Sequence, residues 1–499
     1  TLSVTVTQNG GGGGSGGDSG GSGGSTTVEP LTLGTAVNGR VDGSTPQRHY
    51  KVDVTSTTGT LKIILDGNSG DIDLYVKKGS QPSRNSYDYR GYTTSPDESV
   101  SIQNPQSGTY YILVDRYSGT VDYSLIAKIE SNSGGGSTTR AKWTIMSVIA
   151  YDADDISSQV PSVLNGLGTS NNDVKVVALA DQYGTGNTKA YYFGSTRQEI
   201  PLSQINSAWN NEVNTGDVNT YISFFRWAIN NYPAEHYVIM TDSHARYGTS
   251  FGYDETNSDR ITYDEARTIL SDVTRVINNK IDIFTIGGCW NGNLQWAYDM
   301  EPYVRYMVGS ETTDANRPTL PTTELKQNPM MSARDLAAAI VNKRASSAYW
   351  TPYAYTAMDL SKIPTVKDGA NSLALLLKNN FNTYKSEILA ARQATQAWDE
   401  HYGYPHVDLY DFADQIKQRI TNNTNIVNAA QNLMNVIRNA VVNEKHQGDS
   451  SEPIRTANGV GIMFPRDASQ YYSLEQYMQL SKFAQQTNWD EFLLKYYSP

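Results

Sequence analysis

Two patterns of apolar and polar residues divide the chain. Within residues 30–129, short alternating runs occur between turn residues, at 49–54, 60–65, 71–76, 109–114 and 121–126. Alternation with a period of two is typical of strands that bury one face. About 100 residues of such strands predict an all-β sandwich.

After residue 140, buried-strand patterns alternate with amphipathic segments of helical period. Strands are predicted at 143–150, 174–180, 237–242, 281–289 and 305–310, and helices at 220–231, 262–278 and 290–297. This alternation predicts an α/β domain with a mostly parallel sheet flanked by helices. Strands joined by a single helix commonly lie side by side, so we expect 237–242 and 281–289 to be neighbours.

Glycine- and serine-rich segments separate these regions. The predicted organisation is an isolated N-terminal strand at 1–9, a linker at 10–29, the β-sandwich at 30–129, a second linker at 130–139 and the α/β domain at 140–499. A lone strand is unstable until its backbone pairs with a sheet edge. Residues 1–7 are therefore expected to complete their own sandwich, to enter that of a neighbouring chain, or to stay disordered.

Composition narrows the function. A net charge of −11 over 499 residues argues against nucleic acid or an anionic membrane as a partner. The sequence contains no apolar run close to the ~20 residues of a transmembrane helix. The 34 tyrosines, the abundant small polar residues and only 40 lysines plus arginines favour an extracellular protein.

The single cysteine, Cys289, stands at the end of a predicted strand and before the predicted helix 290–297. A helix N-terminus lowers a thiol pKa, and the thiolate is the nucleophile. His244 follows the strand at 237–242, so both side chains are expected outside the carboxyl ends of parallel strands. Thiolate and imidazole together predict nucleophilic catalysis, with the backbone N–H groups of Ala245 and Cys289 facing the oxyanion.

Both residues also have ordinary structural interpretations. A lone cysteine is commonly a small buried apolar residue, and His244 is equally suited to a loop that faces water or caps a helix. A single Cys–His pair falls short of the three or four ligands of a zinc site, so no metal is expected in the chemistry.

Residues 140–499 resemble clostripain-type cysteine peptidases, which are relatives of the caspases. The motifs that carry the resemblance are 141–146, 151–155, 211–217, 225–234, 253–259, 289–294, 297–298, 310–313 and 487–493. The resemblance implies a caspase-like fold and a catalytic dyad of His244 and Cys289. Some members of that family need Ca²⁺, so the resemblance also raises Ca²⁺ as a ligand to look for in this chain.

The sequence departs from that family beside both dyad residues. It has Ser243-His244-Ala245 where the family usually has Asn-His-Gly, and Gly287-Gly288-Cys289 where it usually has Asp-Ala-Cys. The family aspartate pairs a basic side chain at P1, the residue on the amino side of the cut bond. Because Gly287 lacks that carboxylate, the charge is missing unless Glu311 or Asp314 supplies it, and a small or apolar P1 residue is the alternative.

Residues 30–129 resemble the bacterial pre-peptidase C-terminal domain, an accessory sandwich of secreted proteases. The resemblance rests on the runs at 70–76 and 107–114. Asp71 and Asp73 are candidate Ca²⁺ ligands in the first run, and acidic turn residues facing water are the alternative interpretation.

The sequence predicts a secreted cysteine endopeptidase that cleaves protein or peptide substrates through an acyl-enzyme. The alternative is an extracellular assembly protein built on a peptidase fold, which polymerises by donating residues 1–7 to a neighbouring sandwich.

Overall fold

The computed structural model describes residues 27–55, 60–93, 95–103, 105–130, 140–316, 318–398, 405–450 and 452–498. The chain divides into two compact units, Thr1–Thr138 and Thr139–Pro499. The strand predicted within residues 1–9 lies outside the described residues, so strand donation stays a prediction. Within the described ranges, no helix combines the length and the apolar character needed to cross a bilayer.

The first unit is a β-sandwich, as predicted. Its strands are β1 (Val28–Leu31), β2 (Ala36–Val41), β3 (Gln47–Val54), β4 (Thr60–Gly67), β5 (Asp71–Lys78), β6 (Tyr89–Gly91), β7 (Glu98–Gln103), β8 (Gly108–Ser118) and β9 (Val121–Glu130). They form one sheet in the order β1-β3-β8-β5-β6 and a second in the order β2-β9-β4-β7. Alternate side chains such as Val52, Ile63 and Ile112 are buried in one core.

The second unit begins with strand β10 and contains both helices and strands. The strands are β10 (Ala141–Tyr151), β11 (Val174–Gln182), β12 (Lys189–Phe193), β13 (Arg197–Ile200), β14 (Ala234–Ser243), β15 (Phe251–Asp254), β16 (Asp259–Ile261), β17 (Ile281–Ile286), β18 (Val304–Ser310), β19 (Tyr353–Asp359), β20 (Ala397–Trp398), β21 (His406–Asp408), β22 (Val441–Gln447) and β23 (Gly461–Met463). The α-helices are α1 (Val160–Gly166), α2 (Val218–Asn231), α3 (Tyr263–Ile277), α4 (Leu294–Met300), α5 (Thr322–Gln327), α6 (Ala333–Ser347), α7 (Ile363–Asn379), α8 (Lys385–Ala394), α9 (Leu409–Arg419), α10 (Thr424–Ala440), α11 (Ala468–Met478), α12 (Lys482–Gln486) and α13 (Trp489–Tyr497).

A nine-stranded sheet organises this unit, in the order β13-β12-β11-β10-β14-β17-β18-β19-β22. The five central strands, from β11 to β18, pair in parallel. The strands on either side of them pair antiparallel, so the sheet is mixed, with the predicted parallel part at its centre. The predicted neighbours β14 and β17 are adjacent and parallel.

Helices cover both faces of this sheet. Successive residues of β14 point to opposite faces, so Ile239 and Met240 enter different hydrophobic cores. Helix α3, which connects β14 to β17, begins with a capping box in which Thr262 and Glu265 satisfy each other's backbone N–H groups. Its apolar positions recur every three or four residues and are buried against the sheet, which fixes the crossover.

Candidate active site

A cavity of about 260 Å³ contains both predicted dyad residues. It is lined by Tyr151, Asp155, Ile156, Gln159, Asp242, Ser243, His244, Cys289, Thr313, Asp314, Ala315 and Asn316. These residues come from the carboxyl ends of the parallel strands β10, β14 and β17 and from the segment after β18. The arrangement is the one expected of sites in parallel sheets.

His244 directly follows β14 and is held from two sides. Its Nε2 lies 2.9 Å from Oδ1 and 3.1 Å from Oδ2 of Asp155. The Oγ of Ser243 donates to the His244 carbonyl at 2.8 Å and accepts the Gly252 N–H at 2.6 Å, which fixes the main chain. The side chain of His244 is 38% exposed, so the imidazole is accessible from solvent. Asp155 orients the ring in the way that carboxylates orient catalytic histidines.

Cys289 lies in a tight turn between β17 and α4. Its neighbours both have left-handed backbone, with φ at +102° for Gly288 and +60° for Trp290. A non-glycine residue in that region is strained, and such strain is concentrated at functional sites. The Asp314 N–H donates to the Cys289 Sγ at 3.4 Å.

The helix predicted to open directly after Cys289 begins instead at Leu294, so that part of the prediction is wrong. The Asn293 side chain caps the helix by accepting from the Trp296 N–H at 2.9 Å. The thiol therefore sits five residues before the first helical residue. Its contact with a backbone donor comes from Asp314 rather than from the first turn of α4.

The loops that carry the predicted oxyanion donors touch each other. A Cβ on Gly288 would lie 2.7 Å from the Ser243 carbonyl oxygen and 3.1 Å from the Ala245 Cβ, which is tighter than ordinary contact. Glycine is thus required where the Cys289 turn approaches the His244 loop. The oxyanion role of the Ala245 and Cys289 N–H groups stays a prediction.

The three residues predicted to line the substrate pocket lie in three different environments. Glu311 is buried and does not line the cavity, because its Oε2 accepts the Gly459 N–H at 3.0 Å. Asp314 lines the cavity, and its carboxylate is paired with Arg344 of α6. Gly287 lies against Asp242 of β14.

Asp242 and Asp155 are site residues that the sequence interpretation missed. Asp242 is only 5% exposed, lines the cavity and accepts a hydrogen bond from the Tyr151 hydroxyl. Burial, reinforced by the charge of Asp314, raises the pKa of Asp242 to about 7. A polar residue at the carboxyl end of an apolar strand was the available signal for Asp242.

A second group of carboxylates lies outside this cavity. The ligand atoms of Asp152, Asp181 and Glu212 lie within 4.8 Å of one another. Burial, followed by the charges of Glu212, Asp254 and Asp152, raises the pKa of Asp181 to about 8. Among the residues that the structure describes, neither the buried Oε1 of Glu212 nor the buried hydroxyl of Tyr221 has a hydrogen-bond partner. Three clustered carboxylates form an all-oxygen donor set of the kind that binds Ca²⁺. The oxygens of Asp152 and Asp181 also accept hydrogen bonds from protein groups, which leaves Glu212 Oε1 as the oxygen without one.

The predicted ligands Asp71 and Asp73 lie on β5 in the sandwich unit. Asp73 accepts a hydrogen bond from the Tyr75 hydroxyl at 3.1 Å, and the Oδ1 of Asp71 is buried without a partner. Burial raises the pKa of both carboxyls. Within the described part of the chain they do not belong to a group of three clustered ligands, and their role stays a prediction.

Each unit of the chain matches a known protein family. The sequence model of the bacterial pre-peptidase C-terminal domain matches residues 48–116, and that of the Clostripain family matches residues 147–496. Alkaline serine exoprotease A of Vibrio alginolyticus is 33% identical over 97 residues, which are 19% of this chain and 18% of that protein. Clostripain of Hathewaya histolytica is 22% identical over 330 residues, which are 55% of this chain and 61% of that protein. The chain thus spans less than two thirds of these curated relatives.

Solved structures share the fold of the second unit. An inactive zymogen C11 protease from Parabacteroides distasonis matches with a TM-score of 0.54 and 14% identity, over 70% of this chain and 98% of that one. A secreted C11 cysteine protease from Bacteroides thetaiotaomicron, in complex with an irreversible peptide inhibitor, matches with a TM-score of 0.50 and 16% identity, over 69% and 99%. Because the family model spans well over half of its residues, the chain belongs to the Clostripain family.

Proposed function

We propose that this chain is a cysteine endopeptidase in which Cys289 is the nucleophile and His244 transfers the proton. The observation that carries the proposal is the shared cavity. Both side chains line it from the ends of two adjacent parallel strands, and the Asp314 N–H contacts the sulfur. Nucleophilic catalysis needs this combination of a thiol, an imidazole and backbone donors.

The proposed reaction has two steps. The Cys289 thiolate attacks the peptide carbonyl carbon, and the tetrahedral intermediate collapses to a thioester as the C–N bond breaks. His244 gives its proton to the leaving amine. His244 then removes a proton from water, which attacks the thioester and releases the carboxylic acid and the free thiolate.

Neighbouring groups have positioning roles in this scheme. The Ala245 and Cys289 N–H groups face the developing oxyanion, and Asp155 holds the imidazole through Nε2. The remaining imidazole nitrogen, Nδ1, then exchanges the proton with the reacting groups.

The proposed substrates are proteins or peptides outside the cell. The peptide inhibitor bound to the Bacteroides thetaiotaomicron protease supports a peptide substrate. That protein is secreted, which supports an extracellular location, and so does the similarity to an extracellular protease of Xanthomonas campestris, 40% identical over 88 residues.

A peptide library tests the proposal directly. We expect the wild-type chain to cleave it, Cys289→Ala to be inactive, and His244→Ala to lose about 10²- to 10⁴-fold in kcat/KM. His236→Ala is the matched control, because His236 pairs with Asp282 outside the cavity. Cleavage by Cys289→Ala at the wild-type rate would overturn the assignment of the nucleophile.

We also propose that Asp152, Asp181 and Glu212 bind Ca²⁺. The support is the clustering of their carboxylates, together with the buried Glu212 Oε1, for which the described residues offer no hydrogen-bond partner. Calorimetric titration of the inactive Cys289→Ala chain with CaCl₂ tests this independently of activity. Adding Asp181→Asn should abolish the binding heat.

The alternative calcium site is tested by the same titration. If Asp71 and Asp73 hold the ion instead, Asp71→Asn with Asp73→Asn will remove the binding heat and Asp181→Asn will leave it unchanged. That result would refute the cluster in the peptidase unit as the calcium site.

A further inference from the structure

The loop at 244–250, which begins with His244, contacts the turn at 287–293, which contains Cys289. One point of contact is Gly248, where the backbone is left-handed with φ at +65°. A Cβ on Gly248 would lie 2.6 Å from the Trp290 carbonyl oxygen, closer than side chains approach a backbone atom. The two main chains therefore meet shortly after each of the two proposed dyad residues.

The side chain of Asn293 bridges this contact. Its Nδ2 donates to the Gly248 carbonyl oxygen at 3.0 Å and to the Trp290 carbonyl oxygen at 2.8 Å. A primary amide has two N–H donors, so one is available for each carbonyl. Asn293 is only 1% exposed, and water does not compete for these hydrogen bonds.

Bridging is separate from the capping of α4 by the same residue. The cap uses the Oδ1 of Asn293, which accepts the Trp296 N–H at 2.9 Å. Capping needs an acceptor only, and aspartates do this for α2 at Asp217 and for α9 at Asp408. The bridge needs two donors in addition, which aspartate and serine do not supply.

Other contacts attach the same loop to different elements. The Nε2 of His406, on β21, donates to the Tyr247 carbonyl oxygen at 2.8 Å. The Tyr263 hydroxyl, on α3, donates to the Gly248 carbonyl oxygen at 3.3 Å. These contacts hold the loop to the body of the unit, whereas Asn293 holds it to the turn that carries the thiol.

We propose that Asn293 is a positioning residue, which fixes the His244 loop against the Cys289 turn and so sets the distance between imidazole and thiol. The inference rests on the proposed function, because that distance matters for cleavage only if the two residues act together. Without the amide donors, two buried carbonyl groups lose a partner where the main chains are closest. A small displacement of reacting groups is enough to cost about 100-fold in rate.

The first test is Asn293→Asp, which keeps the shape and the capping acceptor but removes both donors. We expect kcat on a cleaved peptide to fall at least about tenfold and KM to change less than about threefold. Asn293→Ser, which keeps a capping oxygen without adding a charge, should lower kcat in the same way. Asn423→Asp is the matched control, because Asn423 caps α10 by accepting the Ile426 N–H at 3.3 Å, and it should leave kcat unchanged.

The second test measures the coupling of thiol and imidazole without any peptide. Cys289 is the single cysteine of the chain and is partly exposed, so iodoacetamide reports on its thiolate alone. A nearby imidazolium favours the thiolate, so we expect wild-type alkylation at about pH 6 to be about tenfold faster than that of His244→Ala. Both Asn293 variants should fall toward the rate of His244→Ala, and all four proteins should agree within about twofold at about pH 10, where every thiol is ionised.

The two tests separate the possible failures. If the folded Asn293 variants keep the wild-type kcat and alkylation profile and lose only thermal stability, Asn293 is a helix cap alone and the peptidase stands. If the wild-type chain cleaves no peptide but its alkylation depends on His244 and Asn293, the positioning role stands and the proposed function is wrong. If wild type and His244→Ala have the same alkylation profile, thiol and imidazole are uncoupled and both proposals are overturned.

Discussion

The carboxyl of Asp242 makes the charge of the cavity depend on pH. Burial and the charge of Asp314 raise its pKa to about 7, against the opposing effects of Tyr151 and Arg344. A carboxyl with a raised pKa takes up its proton as pH falls through that value, so the pocket loses its negative charge on acidification.

We therefore expect the carboxyl of Asp242 to take up its proton at about pH 7, as measured by infrared difference spectroscopy of the carboxylate band in the Cys289→Ala chain. Asp242→Asn in the same background should lose this contribution to the titration. Identical titrations of the two proteins between about pH 6 and about pH 8 would contradict this prediction, since the variant has no carboxyl to titrate.

Asp155 offers a second test at the residue scale. It contacts Nε2 of His244, but its side chain is 72% exposed, so the interaction is screened and modest. Asp155→Asn should lower kcat about three- to tenfold and leave KM nearly unchanged, because it orients the imidazole without touching substrate. Asp154, the exposed residue that precedes Asp155, provides the control. We expect Asp154→Asn to leave kcat unchanged.

Part of this site was predictable from the sequence, because sites in parallel sheets lie outside the carboxyl ends of the strands. This expectation concerned His244 and Cys289. It placed His244 and Cys289 together because both follow strands of apolar residues, and the structure gives them one cavity. It missed Asp242, because its contact with Gly287 depends on the register of β14 against β17, which a single sequence does not specify. Glu311 was chosen by proximity in sequence, and its side chain turns to Gly459.

At the scale of elements, helix α6 forms an ion pair with a residue that lines the cavity. Its Arg344 pairs with Asp314, and the side chains of both residues are almost fully buried. Removing one member of a buried pair leaves an uncompensated charge, which typically costs about 3–5 kcal/mol. We expect Arg344→Met to lower the free energy of unfolding by about that amount, as measured by urea denaturation.

The adjacent position on α6 is the matched control. Lys343 pairs with Glu324 at 3.1 Å, and both side chains are partly exposed. Lys343→Met should change the free energy of unfolding by less than about 1 kcal/mol. Equal effects of the two variants would mean that the buried pair contributes no more than a surface pair.

Helix boundaries were predictable where capping residues mark them. The helix predicted at 262–278 from its apolar period begins within one residue of α3, and the structure shows a capping box of Thr262 and Glu265 at that start. The helix after Cys289 was predicted to begin at residue 290, because the apolar residues there fit a helical period. In the structure Asn293 caps the helix, which begins at Leu294. The antiparallel edge strands of the sheet were not predicted, since short hairpins there carry a weak periodic signal.

At the scale of the whole molecule, residues 1–7 give the assembly hypothesis its test. If they donate a strand to a neighbouring sandwich, the full chain will elute in size-exclusion chromatography as a concentration-dependent oligomer. Removal of residues 1–29 should then produce a monomer. Identical monomeric profiles for the two proteins would exclude strand donation.

The two units have separate hydrophobic cores, and this predicts how the chain responds to division. Among the described residues, the sandwich core is formed by residues between 31 and 129, and the cores on the two faces of the large sheet by residues between 141 and 497. Each of these cores is therefore built from residues of a single unit, which is the condition for independent folding.

Every residue proposed for peptide cleavage belongs to the second unit, Thr139–Pro499. We expect residues 139–499 alone to cleave short peptides with kcat/KM within about twofold of the full chain, because short substrates contact only the cavity. Residues 27–138 alone should give a cooperative thermal transition of their own. A folded but inactive 139–499 fragment would mean that the sandwich unit contributes to the chemistry, which nothing in the geometry around Cys289 requires.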